Sequence, residues 1–159
     1  MKMKTTNYLS LDTSATKKVS DELQNLLADL QVYYTNLRGF HWNIKGPRFF
    51  QLHEAFEKMY DVVSDQIDEV AERILMLGET PFHNFSDYLK KNEIKESGVV
   101  SSGDEALKLI LDYLKILIAK ERNILDLADK ANDEGTIALI SDYISGQEKT
   151  VWMLTSMLS

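Results

Sequence analysis

The 159-residue sequence predicts an all-α chain: a four-helix bundle of two tight hairpins joined by one long crossover. Three observations predict it. Only seven glycines and two prolines punctuate the chain, which favours a few long helices over many short strands. Apolar residues recur at three- and four-residue steps through four long stretches. The first and second stretches are separated by a tight turn, as are the third and fourth, whereas roughly 25 residues of weaker patterning divide the two pairs.

The first helix is expected over residues 14–44, where Val19, Leu23, Leu26, Leu27, Leu30 and Tyr34 form one apolar stripe. Gly46-Pro47 ends it and begins the next, with proline favoured at the first helical position. The second helix is expected over residues 48–77, closed by Gly78. A third runs over residues 103–130, opened by Ser102-Gly103-Asp104-Glu105, which has the spacing of a capping box. The fourth covers residues 133–157, with Asp133 or Asn132 as its cap. The crossover contains Pro81 and a short helix over residues 85–91. Residues 1–13 read as a flexible N-terminal tail, and 14–159 as one bundle domain.

Composition narrows the function classes. With no cysteine there is no disulfide framework, thiolate zinc site or thiol nucleophile. No apolar run approaches about twenty residues, and MKMKTTNYLS lacks the apolar core of a secretory signal, so a cytoplasmic location is expected. A net charge of −7 opposes attraction of nucleic acid by the overall field.

The run from His41 to Arg73 carries the chemistry. On the second helix, at 100° per residue with His53 at 0°, Glu57 falls at about 40°, Asp68 at about 60° and Glu72 at about 100°. Met59, Val62, Val63, Ile67, Val70 and Ile74 fall between about 180° and 320°, the stripe expected to face the core. The acidic arc therefore lies outside the subunit's own core, and Ser64 and Ala71 within it are small enough for a partner helix to come close. His41, shortly before the Gly46-Pro47 turn, reaches the same end of the hairpin as His53, shortly after it. His53 and Asp68 are separated by about 22 Å along the axis, whereas metal–ligand bonds span about 2.0–2.6 Å. A second copy of the helix, antiparallel across a two-fold axis, brings them together. The expected metal-ligand set is His41, His53 and Glu57 from one chain with Asp68 and Glu72 from its mate.

Plainer readings apply to the neighbours. Asp61 and Asp65 belong equally well to a solvated face, and His83 in the loop reads as a structural or exposed histidine. Phe56 and Tyr60 read as packing residues, and Trp42 as core or interface filling. Imidazole with carboxylate and no thiolate suits iron(II), and also zinc or manganese. Carboxylates offset the charge gained when iron(II) becomes iron(III), so oxidation of iron(II) is the expected reaction. A di-iron site inside one bundle takes Glu-x-x-His from two helices. This chain contains no Glu-x-x-His, and the third and fourth helices contain no histidine, which excludes that arrangement.

His41-Trp42-Asn43, Gly46-Pro47, Phe49-Phe50, Leu52-His53-Glu54 and Asp68-Glu69-Val70-Ala71-Glu72-Arg73 together closely resemble the Dps family, the miniferritins of the ferritin-like superfamily. The resemblance runs from about Val19 to Trp152. It implies a ferritin-like bundle, a hollow dodecamer, and ferroxidase activity at two-fold interfaces. Iron(II) is the substrate, hydrogen peroxide the preferred oxidant, and ferric mineral is stored inside, which protects DNA. By position the family's catalytic ligands fall on His41, His53, Asp68 and Glu72. Glu57 stands where many members have aspartate. Asp133, Glu134 and Asp142 are candidates for the acidic three-fold pore, with Ile137 and Ala138 where some relatives are polar.

Direct DNA binding is expected to be weak. The N-terminal lysines are only Lys2 and Lys4, with Lys17 and Lys18 further on, and twelve copies at −7 each carry −84. The alternatives are a nucleoid-compacting DNA-binding protein with a vestigial metal site and a bundle interaction protein with no metal.

Overall fold

The structure, a computed structural model, describes residues 4–159. Among these the chain is helical without strands: α1 Thr5–Tyr8, α2 Thr13–Asn43, α3 Phe49–Met76, α4 Phe85–Lys91, α5 Gly103–Lys130 and α6 Glu134–Leu158. Helices α2, α3, α5 and α6 are the bundle, and α4 lies in the crossover.

Local chemistry sets the ends. Asp12 caps α2 by accepting from the Ala15 amide at 2.8 Å. Ser102 caps α5 through the Glu105 amide, and Asp133 caps α6 through the Thr136 amide at 3.1 Å. Helix α3 ends in a Schellman motif. Gly78, at φ 88°, donates to the Leu75 carbonyl and Glu79 to that of Ile74, so glycine supplies a left-handed geometry that a Cβ would strain. Pro47 stands outside α3 rather than at its first position: the Gly46 carbonyl accepts from the Phe49 amide, making a turn in which Arg48 becomes the cap.

The core is one cluster of Leu, Ile, Val and Phe from all four long helices, including Leu23, Leu30, Phe40, Phe56, Ile74, Leu117 and Ile140. On α3 the fully buried positions are Leu52, Phe56, Val63, Val70 and Ile74, a narrower stripe than the sequence implies. Val62, expected in the core, is 56% exposed. It sits about 100° from Val63 on the helix and lines an open groove between α3 and α6.

Three polar side chains of α2 fasten the crossover. Gln24 donates to the Thr80 carbonyl at 2.7 Å and accepts from the Phe82 amide at 2.8 Å. Asp29 accepts from the amides of Glu93 and Ile94 at 2.6 and 2.9 Å. Asn36 donates to the Lys95 carbonyl at 2.9 Å and accepts from the Ser97 amide at 3.1 Å. Lys120 of α5 lies 2.8 Å from both the buried Asp29 and the exposed Glu93, tying the loop to α2 and α5. These contacts satisfy the loop's backbone groups, which is why so long a connection lies flat on the bundle.

Two further differences matter. Part of the expected tail, Thr5–Tyr8, forms a helical turn with Thr6 buried. The Thr6 and Thr13 hydroxyls are 3.1 Å apart, and the Thr6 methyl lies 3.9 Å from where a Cβ on Gly78 would stand. Lys2 lies outside the described residues. Asp133 is also unavailable as a pore residue: it is 1% exposed, caps α6 and is paired with Arg73 of α3. Arg73 also donates to the Thr136 hydroxyl at 2.9 Å and lies against Gly135, where a Cβ would meet the guanidinium at 2.9 Å. Glu134 and Asp142 are exposed.

Candidate metal centre

His41 sits in the last turn of α2 and His53 in the second turn of α3, so the tight Gly46-Pro47 hairpin places them side by side. Beneath them Phe40 and Phe56 pack at 5.9 Å between ring centroids, fixing the two helices at this end. The imidazoles stack, with centroids 3.7 Å apart and planes 16° from parallel. Each is held by the other's backbone: Nδ1 of His41 lies 2.8 Å from the His53 carbonyl, and Nδ1 of His53 lies 2.8 Å from the His41 carbonyl.

That reciprocity decides the tautomer. A carbonyl oxygen only accepts, so both Nδ1 atoms carry the proton and both Nε2 atoms keep a free lone pair. This is the second-sphere arrangement that orients an imidazole for a metal. Phe49 stacks on His53 at 5.0 Å, and Tyr60 meets His41 edge-on at 5.4 Å. The Tyr60 phenol is held above its usual range by burial first, then by the carboxylates of Glu57 and Asp61. His41 is buried and His53 half-buried.

The expected carboxylates are placed differently. Glu57, Asp68 and Glu72 are all exposed on α3. Asp68 and Glu72 lie about 22 and 28 Å along the axis from His53. Among the described residues no three His, Asp or Glu side chains come together to hold a metal ion within one chain. The single chain therefore brings His41 and His53 together and leaves Asp68 and Glu72 at the far end. Arg73, adjacent in sequence, is committed to Asp133 and does not neutralise Glu72. Trp42 fills no part of the chain's own core. It is 63% exposed, with the Arg38 guanidinium 4.6 Å from its ring centroid. Of the two readings of His83, structural or exposed, the structure shows the second: it is exposed in the crossover.

Sequence reading missed the backbone carbonyls as partners of the imidazoles, because carbonyl direction is not written in residue type. It also missed the buried Glu121–Gln147 pair inside the bundle and the neighbouring bond from the Tyr143 hydroxyl to the exposed Glu69. A signal for the buried pair existed: Glu121 follows Leu117 by four residues and precedes Ile124 by three, on the apolar stripe of α5.

The comparisons with known proteins agree with this architecture. A family model described as a ferritin-like domain matches residues 20–159. A DNA protection during starvation protein from Porphyromonas gingivalis is 56% identical over 134 residues, covering 84% of each chain. The crystal structure of a Dps protein from Vibrio cholerae O1, described as a member of a broad superfamily of ferritin-like diiron-carboxylate proteins, superposes with a TM-score of 0.95. It is 47% identical and both chains are covered in full. A Dps protein from Bacillus brevis superposes with a TM-score of 0.90 at 36% identity, covering 93% of this chain and 99% of its own. With its bundle, its long crossover and its His41–Arg73 motif, the chain belongs to the ferritin-like domain family and, within it, to the Dps proteins.

Proposed function

We propose that this protein is a ferroxidase and iron-storing cage that oxidises iron(II) with hydrogen peroxide at sites shared between two-fold-related subunits. The observation that carries the reading is the reciprocal Nδ1–carbonyl pairing of His41 and His53, which leaves two Nε2 lone pairs at one end of the hairpin. Asp68 and Glu72 of an antiparallel neighbour would complete the ligand set, with Glu57 adding charge beside the imidazoles. Iron(II) is substrate here. Two iron(II) ions each give up one electron, the peroxide O–O bond accepts both and breaks, and two protons complete two molecules of water.

Each residue has a physical task. The imidazoles bind iron(II) without adding charge, because Nδ1 holds the only ring proton. Asp68 and Glu72 favour the higher charge of the oxidised ion. Tyr60 and Phe49 shield the imidazole pair from bulk water. Consumption of iron(II) and peroxide together suppresses radical chemistry and so protects DNA, the role named for the P. gingivalis relative. The assembly is a dodecamer in the cytoplasm, with Glu134 and Asp142 drawing iron inward by charge. Direct DNA affinity is low: of the exposed Lys4, Lys17 and Lys18, Lys17 is already paired with Asp21. No helix among the described residues is long and apolar enough to cross a membrane.

The test is His41→Ala with His53→Ala. The assembly should keep its mass, while initial iron(II) oxidation by peroxide falls to the protein-free rate. An unchanged rate in an intact assembly would remove the proposed site.

A further inference from the structure

Inside the bundle an acid of α5 meets an amide of α6. Glu121 is 0% exposed and Gln147 only 7%. Nε2 of Gln147 donates to Oε1 of Glu121 at 2.7 Å. Oε2 of Glu121 and Oε1 of Gln147 are buried and have no hydrogen-bond partner. No cation offsets the acid: among the described residues Glu121 is paired with no Lys, Arg or His. Lys120 points about 100° away around α5, against Asp29 and Glu93, and Arg122 pairs with Glu148 at the surface. From the facing helices come Tyr143 of α6, bonded to Glu69 of α3, and Tyr33 of α2, kept protonated by burial first. Lys58, Asp65, Asp142 and Lys149 line the neighbouring groove and are exposed to solvent.

A carboxylate only accepts hydrogen bonds, and so does the oxygen of an amide. An ionised Glu121 therefore leaves two acceptors with no donor. One proton on Oε2 supplies the donor that Oε1 of Gln147 lacks and removes the charge that nothing offsets. Each leftover oxygen shares a carbon with an atom of the existing bond, so acid and amide can close on each other through two bonds. We propose that Glu121 and Gln147 are a proton-operated latch between α5 and α6, closed as a neutral acid–amide pair and opened when the acid gives its proton to water.

Burial pushes the Glu121 carboxyl up to about 7, against the lowering effect of the Gln147 bond. Above that point the core would hold a bare carboxylate, which water must solvate. The route is short. Gln147 lines the open groove between α3 and α6, and Glu121 lies behind it, off the groove wall. A swing of Gln147 into the groove admits water to Oε2. Tyr143, one turn earlier on α6, donates to Glu69 at 2.6 Å and holds that turn on α3, which confines the movement to the Gln147 side chain. The latch shares no residue with the proposed two-fold centre and stands or falls apart from it.

Infrared difference spectra of assembled wild type against Glu121→Gln test the protonation. At about pH 5 they should show the carbonyl stretch of one protonated acid. The band should vanish with a midpoint near 7. Two units above the midpoint, about one chain in a hundred keeps the proton. Crystals at about pH 5 should show the closed pair, and crystals at about pH 9 should show Gln147 turned into the groove with water on Oε2. Glu121→Gln is neutral throughout and should stay closed in both. Should that variant fail to assemble, NMR of wild type labelled with carbon-13 at the glutamate carboxyls reads the same midpoint. An ordinary carboxylate midpoint would overturn the proposal, as would an ordered water between the two oxygens in the acid crystal. The same holds for a Gln147 side chain that keeps one position at both pH values.

Discussion

Mixing two inactive variants tests the head-to-tail centre directly. One variant carries His41→Ala and His53→Ala and keeps its carboxylates. The other carries Asp68→Asn and Glu72→Gln and keeps its imidazoles. Helix α3 separates His53 from Asp68 by about 22 Å, so neither homo-oligomer owns a complete ligand set. In an antiparallel pair made of one of each, one site joins two defective halves. The other joins the imidazoles of the second variant to the carboxylates of the first and is wild-type in composition. Random reassembly of an equal mixture makes half of the pairs mixed. Since an isologous interface repeats each contact twice, about a quarter of all sites are then intact. The initial rate of iron(II) oxidation by peroxide should recover to about a quarter of wild type, from parents that show none. Size-exclusion chromatography checks that all three samples share one assembly. A mixture no more active than the parents, with mixed oligomers demonstrated by mass spectrometry, would refute the idea that the two halves come from different chains.

Two other outcomes follow from the buried polar groups. Asp29→Ala leaves Lys120 with only the exposed Glu93 as partner and frees the Glu93 and Ile94 amides, so it should cost about 3 kcal/mol in denaturant unfolding. A loss below about 1 kcal/mol would mean that Gln24 and Asn36 suffice to hold the crossover. Glu121 titrates from an ordinary 4.5 up to about 7 in the folded chain. Between those values the folded state binds more protons than the unfolded state, so stability falls as pH rises through the window, by at most about 3 kcal/mol per chain. Thermal unfolding of metal-free protein should show that fall, and Glu121→Gln should flatten it. An equal slope in the variant would assign the effect to other groups.

The bundle was legible because its signals are periodic and local. Gly103–Lys130 and Phe85–Lys91 were readable to the residue, since Ser102 and the flanking polar runs mark their ends. Pro47 misled because a turn bond from the Phe49 amide to Gly46 set the helix start at Phe49, one residue past the expected start and two past the proline. Val62 misled because a wheel assigns faces by angle alone, and the separation of α3 from α6 is decided by what α6 carries. Asp133 read as a pore acid, yet its partner Arg73 lies 60 residues earlier, a distance no local pattern spans. The imidazole pair was half legible: spacing put His41 and His53 at one end, whereas the carbonyls that choose their tautomer exist only once the hairpin has closed.

Two unrelated observations ask for the same neighbour. Phe50 is 84% exposed and Leu75 is 53% exposed, at opposite ends of α3. On the wheel centred on His53 they fall at about 60° and about 40°, inside the acidic arc rather than beside it. Phe50 precedes His53 by three residues, and Leu75 follows Glu72 by three. An antiparallel copy that sets His53 opposite Glu72 therefore sets Phe50 opposite Leu75, at both ends of the contact by symmetry. The pairing that completes the ligands also covers the large apolar side chains of this face. Parallel packing would instead stack Phe50 on Phe50 and leave the imidazoles facing imidazoles, with no carboxylate between them. Replacing Phe50 and Leu75 together by serine should then weaken assembly and iron oxidation in step. Loss of oxidation from fully assembled protein would separate the apolar contact from the ligand geometry and defeat this argument.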